Sequence, residues 1–340
     1  MKEIILRGSA RYLYYQYGKT KKSTIDYIML NLPFRCNYKC FKCCNRFRKF
    51  KSGKLSLDKI RNTILRLKKL GAKVLVIAGE GEPTLNKNFK SIVKFVDENG
   101  LIPYVFTNGS KINQKLAYFL SKHKASLIIN MDSFNPQKYD VYVGRKGSFN
   151  VLMQNFGYIR RYYQKNTYEL GEYKVVSLAV NLVLNNENSD QIPKIKEFCN
   201  EDMVFVVNEP INIGSAKKNW KSRFDDAEAN VYKKVSYPLG TLAPDKECSY
   251  MRNGLSVGSD GRILTCAYAL ETQDLYGNIG VKNLISARKK VMKSVDEFYA
   301  KYGKSRCILR HPEYKKFIEE TKNVEKNWNK SSSFRRKETK

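Results

Sequence analysis

No run of about 18 apolar residues occurs anywhere in the 340-residue chain, which excludes a transmembrane helix. The first residues, MKEIILRGSARYLYYQYGKTKK, hold a three-residue apolar run and no small-residue cleavage site. The expectation is no secretory signal, no membrane partner and a soluble cytoplasmic protein. Cysteine is scarce: eight residues are too few for a disulfide scaffold at this length. Acidic residues are also few, 32 against 63 Lys and Arg, which leaves a formal net charge of +31. Such a field favours anionic partners, nucleic acid among them, although a solvated lysine surface also accounts for it. No internal repeat and no RNA-binding module is recognisable. Apolar residues, at 42%, are plentiful enough for a sizeable core, and the length suits one large domain plus a smaller one.

Between residues 26 and 208, strand-like and helix-like segments alternate. Residues 26–33 form an apolar strand that ends just before Cys36. Leu57, Ile60, Ile64 and Leu67 recur at helical spacing, with Ser56 placed to cap and Gly71 to stop the helix. Further strands are expected at 74–78, 102–107, 126–131, 174–184 and 203–208, with helices at 89–99, 113–122, 149–163 and 189–199. Six near-continuous apolar strands separated by helices predict an α/β fold with a parallel sheet, either open or a partial barrel. Ligands of such folds bind at the carboxyl ends of the strands. The predicted organisation is a basic, aromatic N-terminal extension (1–25), a core (26–212), a linker (213–245), a small cysteine-bearing α+β domain (246–312) and a basic tail (313–340).

Half of the cysteines lie between residues 36 and 44. Three of them, in the run Cys36-Asn37-Tyr38-Lys39-Cys40-Phe41-Lys42-Cys43, can wrap one face of an iron–sulfur cubane, a soft centre that prefers thiolates. Three ligands for four irons leave one iron open to a small molecule. Zinc is the alternative, but it favours four ligands in paired knuckles, and Cys44 is awkwardly adjacent to Cys43. The C-x3-C-x2-C spacing resembles the signature of the radical S-adenosylmethionine (SAM) superfamily. That resemblance implies a partial (β/α)6 barrel with a [4Fe–4S] cluster on Cys36, Cys40 and Cys43. It also implies SAM on the open iron and reductive cleavage of SAM to a 5′-deoxyadenosyl radical. Members usually carry an aromatic residue where this chain has Lys42.

Other motifs fall in the order the resemblance requires. Gly79-Glu80-Gly81-Glu82-Pro83 resembles the family's Gly-Gly-Glu-Pro loop, where close backbone approach and a carboxylate suit the SAM ammonium. Thr107 and Asn108 end the third strand. Asn130, Asp132 and Ser133 follow the fourth, where the family places polar contacts to SAM. Cys248, Gly261 and Cys266, with Cys307 beyond, resemble the SPASM and shortened twitch domains that hold an auxiliary [4Fe–4S] cluster. Either that cluster keeps an open iron, or His311 or a carboxylate completes it, or no second cluster assembles. Ser259-Asp260-Gly261 reads as a hairpin turn. No catalytic side chain is assigned.

The resulting expectation is an enzyme acting on a small molecule or a peptide, with a reductant such as flavodoxin or ferredoxin as electron donor. Two rivals remain. One is the same chemistry on RNA or tRNA. The other is a non-catalytic zinc- or RNA-binding protein. Arg11 to Tyr17, with Lys19, Lys21 and Lys22, and Arg160 to Lys165 mix cations with aromatics, a pattern that serves either RNA or a helix packed through its tyrosines.

Overall fold

The computed structural model describes residues 2–18, 25–47, 55–78, 80–224, 248–272, 275–280, 283–304 and 307–323. Its strands are β1 (Glu3–Leu6), β2 (Tyr27–Leu30), β3 (Val74–Ile77), β4 (Ile102–Thr107), β5 (Ser126–Asn130), β6 (Tyr168–Leu170), β7 (Tyr173–Val176), β8 (Leu178–Val183), β9 (Val204–Asn208), β10 (Gly254–Val257) and β11 (Ile263–Leu264). Its α-helices are α1 (Ala10–Tyr17), α2 (Leu57–Lys69), α3 (Phe89–Glu98), α4 (Gln114–Lys122), α5 (Pro136–Val143), α6 (Ser148–Tyr163), α7 (Ile192–Cys199), α8 (Gly214–Lys218), α9 (Trp220–Arg223), α10 (Ser249–Arg252) and α11 (Leu284–Tyr302). No helix among the described residues is long and apolar enough to cross a membrane.

The main sheet has eight strands in the order β11-β10-β2-β3-β4-β5-β8-β9, parallel except for the β10–β11 pair. Strands β2, β3, β4, β5, β8 and β9 are the six expected from the sequence, adjacent in chain order as right-handed crossovers require. Apolar on both faces, they alternate strictly. Met29, Val76, Tyr104, Ile128, Ala179 and Val206 fill the barrel interior. Ile28, Leu75, Val105, Leu127, Val180 and Val207 pack outward on the helices. Helix α2 shows the outer layer forming: the Ser56 hydroxyl accepts from Lys59 N at 3.2 Å, and Ile60, Ile64 and Leu67 are buried beneath it.

The residues expected to extend as a single strand over 174–184 make two. Strand β7 joins β1 and β6 in a separate three-stranded sheet, and the chain crosses at Ser177 into β8 of the barrel. The N-terminal segment belongs to that small sheet and closes the amino-terminal end of the barrel. Tyr12 and Leu13 of α1 are buried against Tyr27, Val74, Ile102 and Tyr104, and Ser126 Oγ donates to Arg7 O at 2.8 Å. Leu13→Ala should therefore leave a cavity at the barrel floor and cost about 2–5 kcal/mol of stability. A urea unfolding midpoint unchanged from wild type would contradict this placement.

The linker expected at 213–245 begins with α8 and α9, and the rest of it lies outside the described residues. The tail beyond 323 and Lys19, Lys21 and Lys22 also lie outside them. The C-terminal region joins the barrel directly, because β10 pairs in parallel with β2. The predicted hairpin turn is present: Gly258 N donates to Arg262 O at 2.8 Å and Gly261 has φ 88°. The 19-residue α11 was not anticipated. At the other edge of the sheet, Arg310 donates to Pro210 O at 3.0 Å and to Glu209 O, just after β9. The C-terminal region thus touches both ends of the six-strand run.

Candidate active site

A cavity of about 360 Å³ opens at the carboxyl ends of the barrel strands. Every cysteine except Cys199 lines it: Cys36, Cys40, Cys43 and Cys44 from the loop after β2, and Cys248, Cys266 and Cys307 from the C-terminal region. Cys199 is an ordinary buried thiol, 1% exposed.

Backbone contacts fix the first loop. Lys39 N donates to Val143 O at 2.8 Å, and Phe41 N to Tyr142 O at 3.4 Å, at the end of α5. Ser215 N donates to Cys43 O at 2.8 Å. A Cβ on Gly214, whose φ is +63°, would collide with the carbonyls of Cys43 and Cys44, so this close packing requires glycine. Gly81 lies equally close to the backbone of Arg35, and Glu82 N donates to Arg35 O at 2.8 Å. The loop after β3 is thereby laid against the cysteine loop.

The Glu82 carboxylate is buried and fully engaged. It accepts from Thr107 Oγ1 at 2.7 Å, Asn108 N at 2.7 Å, and Thr84 N and Oγ1 at 3.2 and 2.6 Å. Burial raises its pKa, and those hydrogen bonds oppose the shift. Glu82 therefore ties the ends of β3 and β4 together. Asn108 Nδ2 donates to Asn37 Oδ1 at 3.1 Å, which extends the tie to the cysteine loop. Glu80 is also buried, with Oε1 accepting weakly from Ser259 N at 3.4 Å across to the hairpin turn.

Of the residues singled out for the cofactor, Glu80, Gly81, Glu82, Thr107, Asn108 and Asn130 line the cavity. Pro83, Asp132 and Ser133 do not. Ser133 Oγ turns to Gln191 Oε1 at 3.2 Å, and Asp132 pairs with Lys42. Gly79 lies outside the described residues. Among the lining residues that were missed are two asparagines, Asn181 and Asn208. Asn208 Nδ2 donates to Asn181 Oδ1 at 2.5 Å, and Asn181 Nδ2 to Asn130 Oδ1 at 2.7 Å. This amide ladder runs across β9, β8 and β5. Its signal in the sequence is a lone asparagine near the end of each apolar strand.

Burial pushes the Cys248 thiol up to about 11, and raises Cys36, Cys40 and Cys266 as well. Neighbouring thiols add to the shift within each set: Cys307 acts on Cys248, and Cys43 on Cys40. Tyr268 lies in the wall between the sets; burial, then Cys44, Cys266 and Cys43, push its hydroxyl up. Among the described residues no three Cys, His, Asp or Glu side chains are gathered tightly enough for one metal ion. A cubane asks for a different arrangement, with each thiolate on a separate iron and the sulfurs spread around the cluster. Two sets of three thiols around one cavity fit that donor requirement. His311 is turned away from it: its Nδ1 accepts from Glu313 N at 3.2 Å, and its ring packs on Phe298 at 5.0 Å. The basic–aromatic segment at 160–165 is structural in part. Arg160 pairs with Asp202 at 2.9 Å, and Tyr163 OH donates to Ala125 O at 2.8 Å.

A family model described as the Radical SAM superfamily matches residues 30–199. Fe-coproporphyrin III synthase of Methanosarcina barkeri is 25% identical over 191 residues, 56% of this chain and 44% of its own length. The chain thus spans less than half of that relative. GTP 3′,8-cyclase of Mannheimia succiniciproducens is 24% identical over 283 residues, 73% of this chain and 80% of its own. Among solved structures, anSMEcpe with bound AdoMet superposes with a TM-score of 0.57 at 16% identity, over 88% of this chain and 99% of that one. Streptococcus suis SuiB bound to S-adenosylmethionine gives 0.55 at 15%, over 77% and 65%. At these identities the structures show a shared fold.

Proposed function

The chain belongs to the radical SAM superfamily, a [4Fe–4S]- and SAM-dependent enzyme family, and from that premise we propose that it abstracts hydrogen from a small-molecule or peptide substrate held between two iron–sulfur centres. The observation that carries the reading is the placement of all cysteines but Cys199 around one cavity at the carboxyl rim of the barrel. Cys36, Cys40 and Cys43 would hold the first cluster. Cys248, Cys266 and Cys307 would hold an auxiliary one. Held there, the first cluster would supply the electron for reductive cleavage of SAM's carbon–sulfur bond, the chemistry general to the family.

The chain's own groups position and enclose. The Glu82 clamp holds the loop after β3 against the cysteine loop, so its backbone carbonyls are fixed to receive the SAM ammonium. The Asn130–Asn181–Asn208 ladder presents amide groups to the ribose or to the substrate. Met29, Ala78, Tyr104, Phe106, Ile128 and Val206 give the cavity an apolar floor that excludes water from a radical. A flavodoxin- or ferredoxin-type reductant would supply the electron.

The peptide branch is supported by the fold shared with Streptococcus suis SuiB, solved bound to precursor peptide SuiA, and by a match to the subtilosin biosynthesis protein AlbA of Bacillus subtilis, 31% identical over 120 residues, 35% of this chain and 27% of its own length. The decisive experiment is anaerobic reconstitution followed by reduction with SAM present. The expected result is about eight irons per chain and release of 5′-deoxyadenosine. A colourless preparation that binds zinc alone would refute the enzyme reading. Steep salt dependence of RNA binding would instead favour an RNA substrate.

A further inference from the structure

Lys42 occupies the position between Cys40 and Cys43 where an aromatic residue is usual, and the structure shows what it does. Its side chain lines the cavity but is only 11% exposed, because Nζ reaches both carboxylate oxygens of Asp132. Asp132 is 3% exposed and lies behind the cavity wall. It is firmly held. Its Oδ1 accepts from Val183 N at 2.8 Å, and its backbone carbonyl accepts from Asn188 Nδ2 at 3.1 Å. Asn188 Nδ2 also donates to Val183 O at 3.0 Å. The ammonium is thus the cavity-facing half of a buried pair, and the carboxylate is its support.

The other charged groups around the cavity are engaged elsewhere. Glu82 is occupied by Thr84, Thr107 and Asn108. Glu209 lies 3.6 Å from Arg310. Glu80 faces the hairpin turn, and the Arg46 guanidinium stacks on Phe47 at 5.0 Å. Lys42 and Asp132 are thus an opposed pair of charges beside the first three thiols, with the Glu82 carboxylate the other charge acting on them.

SAM carries a permanent positive charge on its sulfonium, at the atom whose bond must break. We propose that Asp132 is a specificity-determining residue: by neutralising Lys42 it lets a sulfonium occupy a wall that contains an ammonium. This rests on the reading of the cavity as the SAM site. Without the carboxylate, an ammonium and a sulfonium about 6–12 Å apart, at an effective dielectric of about 20, would repel enough to weaken binding by roughly 10- to 100-fold. S-adenosylhomocysteine has a neutral thioether at the same place and escapes that penalty. A purely structural pair would weaken both ligands alike.

The test measures dissociation constants for SAM and S-adenosylhomocysteine on the reconstituted holoenzyme by calorimetry, in wild type, Asp132→Asn, Lys42→Met and the double variant. Asp132→Asn should lower the preference for SAM by about tenfold or more. Lys42→Met leaves an uncompensated carboxylate and should move the preference the other way. The double variant should return it to near the wild-type value. An unchanged SAM preference in Asp132→Asn overturns the proposal. If that variant does not fold, an unchanged preference in Lys42→Met overturns it equally. A wild-type holoenzyme that binds neither ligand refutes the SAM-site reading itself, a distinct outcome.

Discussion

Cys40→Ala should abolish reductive cleavage of SAM while leaving the fold intact. The loop does not depend on this thiol for its shape. Lys39 N and Phe41 N, on either side, are held by carbonyls at the end of α5, and Ser215 N holds Cys43 O. Circular dichroism should therefore be unchanged. The chemistry has no such redundancy. A cubane with one open iron needs three thiolates, and the loop offers Cys36, Cys40 and Cys43 on one side of the cavity. Loss of one leaves two anchored irons, so iron content should fall by about four per chain and 5′-deoxyadenosine should drop below detection. Cys44→Ala is the matched control and should retain cleavage. If Cys40→Ala still cleaves SAM, the ligand assignment is wrong. If Cys44→Ala fails instead, the third ligand is Cys44.

Local patterns made the barrel readable. Runs such as VLVI at 74–77 and LII at 127–129 are apolar at every position, and the helices between them carry clear stripes and caps. The side each residue faces was not readable, because both faces of such a strand are buried. The break at Ser177 was hidden for a related reason. No glycine or proline marks it, and the chain moves from one sheet to another only because β1 takes up β7 as a partner. Helix α11 did leave a signal. Leu284, Ala287, Val291, Val295 and Phe298 recur at helical spacing, and Asn283 Oδ1 accepts from Ser286 N at 3.0 Å as a cap. Its many lysines on the opposite face obscured that stripe among the turns around it.

The site divides along the same line. Cys36, Cys40 and Cys43 are close in sequence, so their spacing already suggests a shared function. The meeting of Cys248, Cys266 and Cys307 with that loop depends on β10 lying against β2 and on Arg310 binding the carbonyls after β9, contacts that spacing cannot show. The Lys42–Asp132 pair joins residues 90 positions apart. Sequence reasoning placed Asp132 at the right strand end; the structure shows its carboxylate committed to Lys42 and Val183 N. Glu82 is similar: its motif was visible, but its use as a clamp on Thr107 and Asn108 was not.

Cys266→Ala should separate the two halves of the reaction. Cys266 follows β11, which pairs with β10, and β10 pairs with β2. It therefore shares the cavity with the first three thiols while belonging to a different segment. Its removal touches neither the Glu82 clamp nor the loop at 36–44, so SAM should bind and be cleaved at close to the wild-type rate. Iron content should fall from about eight to about four. Product formation should be lost, because a hydrogen-abstracted substrate then has no nearby centre to hold it or to accept an electron. The signature is continued release of 5′-deoxyadenosine with no modified substrate. Two results would refute this division. Product formed at the wild-type rate would mean the second set of thiols is not needed. Loss of SAM cleavage along with product would mean that the two sets serve one centre.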